Sequence, residues 1–143
     1  MKTTTQNKDL TPEEAYKWLT KITSGCCNDD LEKIIVTDAK WACCYAQDVI
    51  KGRWEQAEPI IATSAEWGCH YAHWVLKGRF ELAEPAIATD HICAYYYARD
   101  VIKCRFELGE PAFATDSKYA YLYACDVIKD RFELGEPIIN DNL

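Results

Sequence analysis

DAKWACCYAQDVIKGRWEQAEPIIAT, residues 38–63, is followed without a gap by SAEWGCHYAHWVLKGRFELAEPAIAT at 64–89. DHICAYYYARDVIKCRFELGEPAFAT at 90–115 and DSKYAYLYACDVIKDRFELGEPIIND from Asp116 come next. Tyrosine recurs at 45, 71, 97 and 123, and proline at 59, 85, 111 and 137, with no slip in register. A fixed period of 26 residues marks a stacked array, because a unit this small can bury its apolar face only against neighbours. Residues 11–37 read as a fifth, divergent copy. Thr11 leads it, Gly25 stands where Gly52 does, and Leu31 to Thr37 parallel the end of the unit one residue short. The domain plan is therefore a flexible lead at 1–10 and one repeat domain at 11–143, with units 11–37, 38–63, 64–89, 90–115 and 116–143.

Each unit opens with a helix cap. Asp38, Ser64, Asp90 and Asp116 can accept from the free amides of a first helical turn, and Thr11-Pro-Glu-Glu14 has the form of a capping box with proline at the first helical position. About 13 residues of helical periodicity follow, with Ala42, Tyr45, Ala46, Val49 and Ile50 on one stripe in the first full unit. Gly52 and Gly78 are expected to end the long helix as C-caps, although Cys104 and Asp130 stand there in later units. Trp54, Phe80, Phe106 and Phe132 should plug the turn. A short helix follows, with proline in its first turn, where the missing amide costs little. Its buried face is expected at Ile60–Ile61, Ala86–Ile87, Ala112–Phe113 and Ile138–Ile139. The predicted fold is all-α: an α-solenoid of about five helix-turn-short-helix repeats.

Within the four full units, Lys51, Arg53, Glu55, Glu58 and Pro59 have identical counterparts, as do Tyr45, Ala46 and Val49. The apolar set reads as stack core and the charged set as ladders between adjacent units. The positions that differ are more informative. One helical face carries Lys40, Cys44 and Gln47, then Glu66, His70 and His73, then Ile92, Tyr96 and Arg99, then Lys118, Leu122 and Cys125. Cys43, Cys69, Tyr95 and Tyr121 lie beside it. A solvated face should hold lysine, glutamate and glutamine; this one holds aromatic and aliphatic side chains. Trp74 replaces the aspartate found at 48, 100 and 126. The expected partner-binding residues are Gln47, His70, His73, Trp74, Ile92, Tyr95, Tyr96, Arg99, Tyr121 and Leu122. Homodimer contact and packing against the short helices remain open as alternative uses of this face, as do a small ligand held between repeats and a self-assembling structural protein.

The net charge of −7 argues against nucleic acid, whose binding rests on lysine and arginine neutralising phosphates. The acidity is spread through the array: each of the first four segments carries −1, and 116–143 carries −3. No apolar run approaches the roughly 20 residues that span a bilayer, and the polar start MKTTTQNKDL is unlike a secretory signal. A cytoplasmic location with reduced cysteines is expected. Cys26–Cys27 and Cys43–Cys44 are adjacent pairs without the two-residue gap of zinc sites. His70 and His73 lie three apart on one face near Cys69, short of a metal-ligand set, and no cofactor or metal is expected. Cys69 as a nucleophile would need a base and an orienting group. No phosphate loop, serine-nucleophile motif or paired-carboxylate constellation is present, and repetition itself argues against catalysis.

The consensus AYxYARDVIKGRFELGEPAIATD, covering residues 38–143, resembles the short tandem repeats of uncharacterised proteins from bacteriophages and large DNA viruses. That resemblance carries no known active site. It implies a non-enzymatic viral accessory protein in the host cytoplasm that binds a host protein or complex, as an inhibitor of a host enzyme or defence complex.

Overall fold

The computed structural model of the protein describes residues 9–21 and 29–141. Residues 1–8 of the lead, Gly25 and the Cys26–Cys27 pair lie outside the described residues. Helices α1 (Pro12–Lys21) and α2 (Asp29–Ile35) form the divergent unit. Each later unit is a longer helix that continues into a π-helical turn, a connecting turn, and a one-turn helix. The pairs are α3 (Ala39–Tyr45) with α4 (Glu58–Ile61), α5 (Ala65–Tyr71) with α6 (Glu84–Ile87), α7 (His91–Tyr96) with α8 (Glu110–Phe113), and α9 (Ser117–Leu122) with α10 (Glu136–Asn140). No strand occurs among the described residues. The predicted all-α repeat architecture is the observed one.

The caps sit where the sequence places them. Asp38, Ser64 and Asp116 accept from the amides of Trp41, Trp67 and Tyr119, and Asp90 accepts from Ile92 and Cys93. Thr11 and Glu14 bond each other's backbone amides at 2.8 and 3.2 Å, closing the capping box. Ala42, Tyr45, Ala46 and their counterparts form the buried stripe, together with Trp54, Phe80, Phe106 and Phe132. Each of these turn aromatics rests 5.0–5.3 Å from the tyrosine ring of its own unit. Ile61, Ile87 and Phe113 are fully buried, while Ile60 is half-exposed.

Two local expectations are overturned at the end of the long helix. The last turn is π-helical at Ala46–Ile50, Ala72–Leu76, Tyr97–Ile102 and Tyr123–Ile128. In the first full unit Val49 and Ile50 leave the stripe and are exposed, whereas Val75, Leu76, Val101, Ile102, Val127 and Ile128 stay half-buried against the core. Neither Gly52 nor Gly78 adopts the left-handed conformation. Lys51, Lys77, Lys103 and Lys129 do, with φ of 56, 51, 53 and 57°. The helix is closed one residue earlier than the glycine, so Cys104 and Asp130 occupy the next position without backbone strain. Lysine suits the place because its charge faces the negative end of the helix.

The invariant charges also act differently from a ladder between units. Arg53 grips Glu58 of its own unit with two bonds of 2.7 and 3.0 Å. The tie between units is made by tyrosine: the Tyr71 hydroxyl donates to Glu58 at 3.3 Å and accepts from the Trp54 amide at 2.7 Å. Tyr97 repeats this with Glu84 and the Phe80 amide, and Tyr123 with Glu110 and the Phe106 amide. Tyr45 donates to Glu32 at 2.7 Å across the same 13-residue spacing, so Glu32 takes the place of Glu58 in the divergent unit. A buried carboxylate is costly unless paired; here a bidentate arginine and a phenol satisfy it. Burial pushes the Tyr71 phenol up to about 12 and raises Tyr97 and Tyr123 as well, so these hydroxyls remain donors.

Candidate functional site

A cleft of about 280 Å³ lies between the third and fourth stacked units, lined by Glu66, Cys69, His70, His73 and Trp74 of one and Cys93, Tyr96 and Asp100 of the other. Helical spacing explains the first group, since 66, 69, 70, 73 and 74 fall on one face of α5 and its π-turn. Trp74 projects with 57% of its surface exposed, and Tyr96 with 43%. The His73 ring meets Trp74 edge-on at 4.5 Å. The His70 ring lies 5.5 Å from Trp67 and 6.3 Å from Trp74, and its Nε2 is 2.9 Å from Gln47 Oε1 in the preceding unit. Burial, then the neighbouring His73, holds His70 below the usual histidine range.

A tie found elsewhere along this ridge is missing at the cleft. Tyr16 donates to Asp48 of the next unit at 2.6 Å, and Tyr95 to Asp126 at 2.5 Å. The equivalent pairs in between are Cys43 with Trp74 and Cys69 with Asp100, which have no hydroxyl to donate. Asp100 is taken instead by its neighbour Arg99, through bonds of 2.6 and 2.7 Å that lower its pKa. Trp74 in place of an aspartate leaves an indole standing free of the ridge.

The expected binding residues therefore divide. His70, His73, Trp74 and Tyr96 converge on the cleft, and Gln47 reaches it through His70. Ile92 is exposed on the same ridge. Arg99 is pinned, stacking 5.1 and 4.9 Å from the Tyr95 and Tyr96 rings while it holds Asp100. Tyr95 is a correction: it is 2% exposed, enclosed by Arg99, Tyr96 and Tyr119, and belongs to the core. Its hydroxyl is the reason, since reaching Asp126 draws the ring under the following unit. Leu122 is half-buried against the core, and Tyr121 is exposed away from the cleft lining. Cys93 and Asp100 were not singled out by the sequence; the Tyr95–Asp126 and Tyr16–Asp48 spacings, set against Cys69, carry the signal for Asp100, and Cys93 stands where the other full units have Trp41, Trp67 and Tyr119.

Burial raises the thiols of Cys69 to about 11 and Cys93 to about 12, so little thiolate forms near neutrality. Cys69 donates weakly to the Cys93 carbonyl at 3.7 Å. The six cysteines among the described residues are free thiols. Among the described residues, no group of three or more histidine, cysteine, aspartate or glutamate side chains is placed to hold a metal, and no helix is long and apolar enough to cross a membrane. Comparison with known proteins finds no matching family model, no similar curated protein and no similar solved structure.

Proposed function

We propose that the protein is a non-enzymatic binding module that captures a partner protein on the ridge around Trp74. The observation that carries this reading is the exposed Trp74–Tyr96 pair flanking a cleft on an otherwise repeated scaffold. Large aromatic side chains beside a recess are the usual anchors of protein interfaces. The other three full units place an aspartate where Trp74 stands, so the indole serves no purpose common to the stack. That the partner is a host enzyme or defence complex, with the protein acting as its viral inhibitor in the host cytoplasm, rests on the resemblance of the repeat alone.

The test is affinity capture with wild type, Trp74→Ala, Tyr96→Ala and, as an exposed control outside the cleft, Leu82→Ala. A partner held by wild type and Leu82→Ala but lost from both aromatic variants, at unchanged helicity, supports the reading. A partner retained by all four removes it.

A second reading is favoured by the recess itself. At about 280 Å³ it lies near the lower end of small-ligand pockets, which run from roughly 300 Å³ upward. A small aromatic molecule seated among His70, His73, Trp74 and Tyr96 would be seen as an added mass on the native protein.

A further inference from the structure

The two ends of the array are unmatched halves of the interface that joins its units. Counting from the helix cap, Trp18 of the divergent unit occupies the place of Tyr45, Tyr71, Tyr97 and Tyr123. Those tyrosines are 0–2% exposed under a preceding unit, whereas Trp18 is 51% exposed. Lys21, three residues further along α1 on the same face, stands where later units carry Asp48, Trp74, Asp100 and Asp126, and it is exposed.

The opposite end shows the complementary deficit. Tyr121 is 57% exposed, while its counterpart Tyr95 is 2% exposed because the next unit covers it and supplies Asp126. The Glu136 side chain is 29% exposed, against 8, 9 and 10% for Glu58, Glu84 and Glu110. Arg131 holds Glu136 through both nitrogens, as in other units, but among the described residues no tyrosine hydroxyl reaches Glu136 or the Phe132 amide. Ile139 is half-exposed where Ile61, Ile87 and Phe113 are buried.

We infer that copies of this chain stack head to tail, with Trp18 and Lys21 of one copy meeting Glu136 and Tyr121 of the next. The occupant of each end is set by continuity with the interface already inside the array. An indole N–H can donate to Glu136 as the tyrosine hydroxyls do to Glu58, Glu84 and Glu110. Lys21 can donate to the Tyr121 hydroxyl, in the place where Asp126 accepts from Tyr95. A heterologous contact of this kind does not close on itself, so it grows open chains.

The surfaces used here share no residue with the Trp74 ridge, so either proposal can fail alone. Sedimentation equilibrium of the full chain should show a series of growing oligomers with rising concentration. Trp18→Asp blocks the head and Tyr121→Arg sets like charge against Lys21. Both residues are exposed, so each variant should keep wild-type helicity and melting. Each alone should lose association at least about 10-fold, the equivalent of one strong contact. Mixed together, they still offer one intact head and one intact tail, and should form a 1:1 dimer. The inference is overturned if the wild type stays monomeric to about 1 mM. It is also overturned by a closed dimer untouched by either variant, or by a mixture that remains monomeric.

Discussion

The Tyr97 hydroxyl lies 2.8 Å from a carboxylate oxygen of Glu84, 13 residues earlier and one unit back, and accepts from the Phe80 amide at 2.9 Å. One phenol thus satisfies a buried acid and a buried backbone donor of the neighbouring unit. The arrangement recurs at every junction from Trp54 to Tyr123, which makes it the main polar tie of the stack.

Tyr97→Phe should therefore leave the Phe80 amide without a partner and Glu84 held by Arg79 alone, while changing the packed volume very little. The expected loss is about 1–3 kcal/mol, the cost of one buried unsatisfied group. Tyr121→Phe should stay within about 0.5 kcal/mol, because that ring is exposed. Urea midpoints of the two variants against wild type check the contrast; equal effects would contradict it.

Gly68 is closely approached from within its own unit. A Cβ there would lie 2.7 Å from Ala83 Cβ, so Gly68→Ala should cost about 1–3 kcal/mol by overpacking. Adding Ala83→Gly should recover most of the loss, because the following unit carries the reversed pair, Ala94 with Gly109. A thermal-unfolding double-mutant cycle measures the coupling, and additive effects would refute the packing account.

Lys77 holds a left-handed backbone at φ 51°, a conformation that costs a side-chain-bearing residue about 1–2 kcal/mol. Lys77→Gly relieves this at some entropic cost and should stabilise the protein by roughly 0.5–1 kcal/mol. Lys77→Val, β-branched, should do the opposite. Denaturation midpoints with these signs reversed would mean that the lysine charge matters more than the backbone.

His70 is held below its ordinary value by burial and by His73. Its folded form therefore resists protonation more than the unfolded chain does. The stability this contributes is full above about pH 6.5 and is lost as pH falls through the lowered folded value. His70→Gln, which keeps a polar group toward Gln47, should flatten the fall in urea midpoint between about pH 7.5 and about pH 5.5. An unchanged fall would assign the acid sensitivity to other groups.

The period, the caps and the first-turn prolines are local features, and each could be read from the chain because it depends on residues within one unit. Asp38 caps its helix through the Trp41 amide, three residues away, whatever surrounds the unit. The place of Trp54 and its counterparts in the turn was legible for the same reason. The left-handed lysines were not, because a glycine in the next position is the commoner signal and only the π-turn moves the closure back by one residue.

The sequence by itself determined that this is a stacked array of helical units and which positions vary between them. Only the tertiary structure decided what each variable position faces. Tyr95 and Tyr96 are neighbours of the same chemical kind, yet one is buried on Asp126 and the other borders the cleft beside Trp74. Their difference lies in a residue 31 positions away in the next unit, and burial is set by such non-local neighbours. The same holds for Tyr121, which matches Tyr95 in its own unit and is exposed because no further unit covers it among the described residues.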